Sequence, residues 1–281
     1  MRIPFSRIRD EGQFKEIFLA LERGFIKFGI DFYLVGATAR DVWMKGVHGL
    51  PPKRATSDID FGIMIKDSFV FDDLKSYLIE EEGFIPSKDN EFVLIWKDKS
   101  QVDLIPFGDL ESEGIVTVKG TGFTSMNVEG FKEVYEQASE EIITEDQRFK
   151  VSTLPGIVIL KLIAWDDRPE VRRDDIDDIA EIIKNYFHLN DEVIFEQHSD
   201  LFTDDIELDE IASQLGREIG KIVSGNPKLV ERIKGILENG LNDINNLAEL
   251  LASESDETIE YSKSLISHIK KGIEEVTSES K

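Results

Sequence analysis

The sequence predicts an α+β fold in two parts: a mixed sheet with flanking helices over residues 1–152, followed by an all-helical domain over 153–281. Three observations carry that reading. Short strand-like apolar runs (DFYLV, DIDFGIMI, EFVLIWK, QVDLIPF, IVTVK) all lie in the first half, segments with helical spacing alternate with them, and past residue 153 the apolar pattern is helical throughout. At 281 residues and 41% apolar content, the chain is long enough for two packed domains.

Phe14, Ile17, Phe18, Leu21, Phe25 and Phe28 recur at helical spacing and predict a helix over 10–29. DFYLVGA then reads as a short buried strand ending in Gly, TARDVWMKG as a helix, and GVHGLPPKRAT as a loop because of its Gly and Pro content. DIDFGIMI is the next strand. Its side-chain period of 2 turns Asp58 and Asp60 one way while Ile59, Phe61 and Ile63 face a core. A helix over 69–82 follows, then strands at EFVLIWK, QVDLIPFG and IVTVK with polar turns between them. LPGIVILKLIAW and VRRDDIDDIAEIIKNYF begin the helical half, with Pro155 suited to a first helical turn. Amphipathic stretches continue to Ile273. Asn226 before Pro227 marks a helix start, a break is expected near Ser253, and the tail EEVTSESK is expected to fray.

Composition excludes several classes. No window approaches 18 uninterrupted apolar residues, and the start MRIPFSRIRDEG lacks an apolar signal region, so no membrane partner is expected. The absence of cysteine removes disulfides and thiolate zinc sites and suits a cytoplasmic protein. A net charge of −24 argues against general duplex nucleic-acid affinity, which depends on Lys and Arg neutralising phosphate. Residues 1–55, however, hold ten Lys/Arg against six acids, enough for a polyanion to dock.

The chemistry concentrates in acids. Asp58 and Asp60 repel each other on one strand face unless a cation lies between them, and Asp103 in QVDLIPF supplies a third carboxylate. If the two strands are neighbours, the three acids converge and suit two Mg²⁺ or Mn²⁺ ions, one on a nucleoside triphosphate and one lowering the pKa of an attacking hydroxyl, with Asp103 as a candidate base. Gly36 ends a strand before a helix, which lets backbone N–H groups approach phosphate, and Thr38 offers a hydroxyl.

These residues resemble the DNA polymerase β-type nucleotidyltransferase superfamily: Val35, Gly36 and Ala37, then Asp58, Ile59 and Asp60, then Asp103. Ala37 stands where the superfamily has Gly or Ser. GATA followed by TSDIDF and STLPGIVILKLIAWDDRPEVRRDDIDDIAEI narrows the resemblance to the AbiEii family of nucleotidyltransferase-like toxins, over roughly residues 33–183. GATARDVWMKG is also similar to the Gly-Gly-x-Val-Arg-Asp segment of tRNA CCA-adding enzymes, with Arg40 and Asp41 in the matching places, but over residues 33–66 alone.

The AbiEii resemblance implies a nucleotidyltransferase domain (1–152) and a helical nucleotide-binding domain (153–281), with the nucleotide in the cleft between them. It implies that Lys161, Arg168, Asp175 and Asp178 lie by the nucleotide with Gly36, Ala37 and Thr38. It also implies transfer of a nucleoside monophosphate to a tRNA 3′ end, a protein side chain or a small molecule, and a cognate antitoxin. The competing expectation is a nucleotide- or partner-binding module that has lost catalysis, with the acidic stretch from about residue 200 as its partner surface.

Overall fold

The computed structural model describes residues 1–4, 7, 11–51, 58–97, 99–144, 147–198 and 208–278. The far end of the expected loop (52–57, with Lys53 and Arg54), the start of the acidic stretch near 200 and the tail residues 279–281 lie outside the described residues. The chain divides into two units, Met1–Thr153 and Leu154–Lys281.

The first unit is built on a seven-stranded mixed sheet of order β3-β4-β5-β2-β1-β9-β8. Helix α1 (Glu11–Phe28) leads into β1 (Phe32–Val35), α2 (Gly36–Asp41) and a π-helical turn (Val42–Val47). Then come β2 (Ile59–Met64), α3 (Ser68–Glu80), β3 (Ile85–Pro86), β4 (Val93–Ile95) and β5 (Gln101–Phe107). A separate hairpin, β6 (Ile115–Thr117) with β7 (Ser125–Asn127), precedes α4 (Phe131–Gln137), β8 (Ser139–Ile143) and β9 (Arg148–Ser152).

Aromatic burial explains how the sheet is held. Phe18 lies with its ring centroid 4.5 Å from Phe149 and 5.9 Å from Phe61, and Phe25 lies 4.5 Å from Phe32, so α1 covers one face. Tyr33 points to the other face, 5.7 Å from Phe107 and 5.5 Å from Tyr135. Strand alternation therefore sends Phe61 and Ile63 toward α1, and sends Asp60 and Gly62 toward the Tyr33 face. Gly62 is required there, because a Cβ would stand 2.3 Å from the Tyr33 ring.

The second unit is helical: α5 (Leu154–Asp167), α6 (Arg173–Gln197, interrupted at Asn190), α7 (Leu208–Val223), α8 (Pro227–Leu241), α9 (Leu247–Ser255) and α10 (Ile259–Ser278). Helix α5 is apolar all round, and its residues from Leu154 to Ile163 are buried. Such a helix belongs in a core rather than on a surface. Asn226 caps α8 by accepting from Leu229 N at 3.2 Å, with Pro227 at the first helical position. Helices α7 and α10 touch backbone to backbone: a Cβ on Gly216 would lie 2.1 Å from Ile269 O, and one on Gly272 2.1 Å from Ser213 O. Among the described residues, no helix is long and apolar enough to cross a membrane.

Several expectations are corrected. Strand β2 begins at Ile59, so Asp58 precedes the strand; its carbonyl accepts from the Thr38 hydroxyl at 3.0 Å. The helix after β1 starts at Gly36 and widens into a π turn, which the Trp43 indole N–H anchors to Ser152 O at 2.7 Å. The break placed near Ser253 falls later, at Asp256, whose φ of 58° ends α9 in the left-handed region. The tail expected to fray is helical through Ser278, where Thr277 donates back to Ile273 O at 2.8 Å.

Candidate active site

The acids are assembled by strand register. Val35 at the end of β1 pairs with Asp60 on antiparallel β2, and Asp60 pairs with Asp103 on parallel β5. Directly paired residues share a face, so both carboxylates project from one rung of the sheet on the side away from the α1 aromatic cluster. Asp58, Asp60 and Asp103 are all partly exposed, while the alternate residues Ile59, Phe61, Val102 and Leu104 are no more than 1% exposed.

Gly36 follows Val35 and abuts the same carboxylate. Its φ is +66°, and a Cβ there would lie 2.2 Å from Asp60 Oδ2. Only glycine combines the left-handed conformation with that close approach. Ala37 and Thr38 are buried, at 6% and 2% exposure. The Thr38 hydroxyl, expected to face a phosphate, donates instead to Asp58 O and ties α2 to the entry of β2. Behind it Arg40, fully buried, places Nη2 2.6 Å from Asp41 Oδ1.

Asp103 has a neighbour that the sequence reading missed: Gln101 Nε2 donates to Asp103 Oδ1 at 2.8 Å. The two residues stand at i and i+2 of one strand, on the same face, and that spacing was the available signal.

Among the described residues, no group of three or more His, Cys, Asp or Glu side chains is placed to hold a metal ion by itself. The donors present still suit Mg²⁺ or Mn²⁺. Mg²⁺ ordinarily takes one or two carboxylates and completes its shell with water and substrate phosphate, and Asp60 opposite Asp103 is a pair of that kind.

In the second unit, Lys161 of α5 is 7% exposed, with Nζ 2.6 Å from Asp175 Oδ1 and 2.7 Å from Asp178 Oδ2 of α6. Burial pulls the lysine pKa down, but the two carboxylates outweigh it and hold it above the ordinary value. Lys161 is thus a buried cation shared by two acids. Arg172 Nη1 stands 3.9 Å from Asp175 Oδ2, and Arg168, half-buried, lies in the turn between α5 and α6.

A family model described as "Nucleotidyl transferase AbiEii toxin, Type IV TA system" matches residues 19–246. No curated protein matches the sequence. Two solved structures are similar in outline. One is the antibiotic-resistance factor ANT(2'')-Ia, 12% identical with a TM-score of 0.38, covering 68% of this chain and 100% of that one. The other is an antigenic nucleotidyltransferase-like protein from Paracoccidioides brasiliensis, 13% identical with a TM-score of 0.39, covering 71% of this chain and 92% of that one.

Proposed function

This chain belongs to the AbiEii nucleotidyl transferase toxin family and is a nucleotidyltransferase; from that premise we propose that it moves a nucleoside monophosphate from an NTP to an acceptor hydroxyl at the Asp60–Asp103 rung. The observation that carries the proposal is the pairing of Asp60 with Asp103, with Gly36 pressed bare against the Asp60 carboxylate. In this reading Asp60 and Asp103, with Asp58 at the entry of β2, would hold Mg²⁺ or Mn²⁺, which would supply Lewis-acid stabilisation of the triphosphate and a lowered pKa for the acceptor hydroxyl. The backbone N–H groups at Gly36 and Ala37 would receive the phosphates, with the Thr38 hydroxyl holding that turn against the entry of β2. The acceptor oxygen attacks the α-phosphorus in line and its proton passes to Asp103. The bond to the bridging oxygen breaks, and pyrophosphate leaves.

Lys161 is assigned the task of holding Asp175 and Asp178 in place, because its ammonium is already neutralised twice. The acceptor is proposed to be a tRNA 3′ end or a protein side chain, and the family's Type IV toxin–antitoxin setting implies a cognate antitoxin.

The test is transfer of α-³²P label from each of the four NTPs, with Mg²⁺, to total tRNA or to protein, in the wild type and in Asp60→Ala. Label in tRNA or in protein bands identifies the acceptor, and Asp60→Ala abolishes it while leaving the melting temperature near that of the wild type. Unchanged transfer by Asp60→Ala overturns the site. Stabilisation of the wild type by Mg²⁺–NTP with no label in any acceptor supports a binding module instead.

A further inference from the structure

We infer that Gln101 is a positioning residue for Asp103: its side-chain amide fixes which way the Asp103 carboxylate faces. The inference rests on the reading of the Asp60–Asp103 rung as the metal and nucleotide site. Three observations carry it. The Gln101 Nε2 to Asp103 Oδ1 hydrogen bond, 2.8 Å long, joins residues two apart on β5, so both side chains rise from the same face. Val93 of β4 and Asp60 of β2 pair with Asp103 on its two sides, and Ile95 pairs with Gln101, so the backbone beneath both side chains is fixed by flanking strands. Gln101 and Asp103 are partly exposed, whereas Val102 and Leu104 between and beyond them are buried, so the amide–carboxylate contact lies on the open side rather than inside the core.

The physical consequence is rotational. A carboxylate on a two-torsion side chain turns readily unless one oxygen is held. An amide N–H directed at Oδ1 holds it, in the manner of the outer hydrogen bonds that orient metal-binding carboxylates elsewhere. Gln101 touches neither substrate nor metal in this scheme and acts through Asp103.

The experiment uses the full-length protein as wild type, Gln101→Met, Asp103→Asn and the double variant. Methionine keeps the length of the side chain and removes the donor. Binding of Mn²⁺ alone is read from loss of its free EPR signal, and α-³²P label transfer gives kcat and KM for the NTP separately. Gln101→Met is expected to weaken Mn²⁺ binding about tenfold, the lower end of the range for lost outer hydrogen bonds, and to lower kcat with little change in KM and in melting temperature. In the Asp103→Asn background the same substitution is expected to add nothing. The inference is overturned if Gln101→Met binds Mn²⁺ like the wild type, or if its effect persists undiminished on top of Asp103→Asn. If Asp103→Asn itself leaves Mn²⁺ binding and kcat unchanged, the rung is not the site and both readings fall, an outcome separate from failure of Gln101 alone.

Discussion

Replacing Lys161 with Met removes the buried cation that Asp175 and Asp178 share. The ammonium lies 2.6 Å from Asp175 Oδ1 and 2.7 Å from Asp178 Oδ2, and the side chains of lysine, Asp175 and Asp178 are 8%, 9% and 1% exposed. Breaking a buried ion pair by deleting one partner costs about 3–5 kcal/mol, because the remaining charge keeps its desolvation penalty without compensation. Two carboxylates remain here, with Arg172 still 3.9 Å from Asp175, so the middle of that range applies, about 4 kcal/mol, or roughly 8–16 °C in the melting of the chain. The pH dependence has a definite sign. The folded pKa of Lys161 lies above its ordinary value, so its stabilisation is fully present below about pH 10.4 and is lost only as pH rises through the folded value. Thermal melts of the full-length chain from pH 7 upward check it, the gap between wild type and Lys161→Met narrowing as pH rises through the folded lysine value. The triple variant Lys161→Met/Asp175→Leu/Asp178→Leu, which removes the three buried charges and leaves only the part-exposed Arg172, should recover most of the loss, since apolar replacement of a buried ionic cluster is often neutral or stabilising. A Lys161→Met melting point within about 2 °C of wild type at pH 7 would falsify the buried triad, because the expected loss is several kcal/mol.

Two further outcomes follow from glycine geometry. Gly36→Ala places a Cβ 2.2 Å from Asp60 Oδ2 at a φ of +66°; the carboxylate must move by about 1 Å, and a displacement of that size costs on the order of a hundredfold in turnover. Stability should fall by only about 1–3 kcal/mol, the cost of a strained left-handed residue; label-transfer rates and melting temperatures separate the two effects. Gly272→Ala meets main chain instead, 2.1 Å from Ser213 O and 2.7 Å from Arg217 N, neither of which can yield as a side chain can. It should cost about 3 kcal/mol in denaturant titration, whereas Gly235→Ala, with nothing within 4 Å, should gain about 0.5–1 kcal/mol as a helix-interior exchange.

The parts that could be read from sequence were those with strong local signals. The Phe14 to Phe28 spacing marked α1, and the alternation around Asp60 marked β2. Asn226 with Pro227 marked the start of α8, because a cap and a fixed φ act locally. The stretch from β7 to β9 was not legible. Helix α4 is only seven residues long and enters through Gly130 at a φ of 86°, while SEEII and RFKVS carry charged residues that blur strand alternation at the sheet's end. The carboxylates were visible as types and spacings. Their assembly was not, since it depends on β2 pairing in parallel with β5, a long-range choice that no local pattern encodes. Lys161 in an apolar helix signalled a need for a partner. That Asp175 and Asp178 would supply it depended on how α6 packs against α5.

The parallel pairing of β2 with β5 also decides where this chain can change length. Asp60 and Asp103 are kept together by one rung of main-chain pairing, about 4.8 Å between strands. Of the chain between Met64 and Gln101, the turns between α3, β3, β4 and β5 can lengthen as surface loops do, with a closure cost that rises only logarithmically, whereas β4 is itself paired to β5 and cannot. An inserted residue within Ile59–Met64 or Gln101–Phe107 acts differently: it carries the aspartate to the opposite side of the sheet, among the phenylalanines. The tolerance of this protein to insertion and deletion is thus drawn by its hydrogen-bond ladder, with a sharp edge at each end of two short strands.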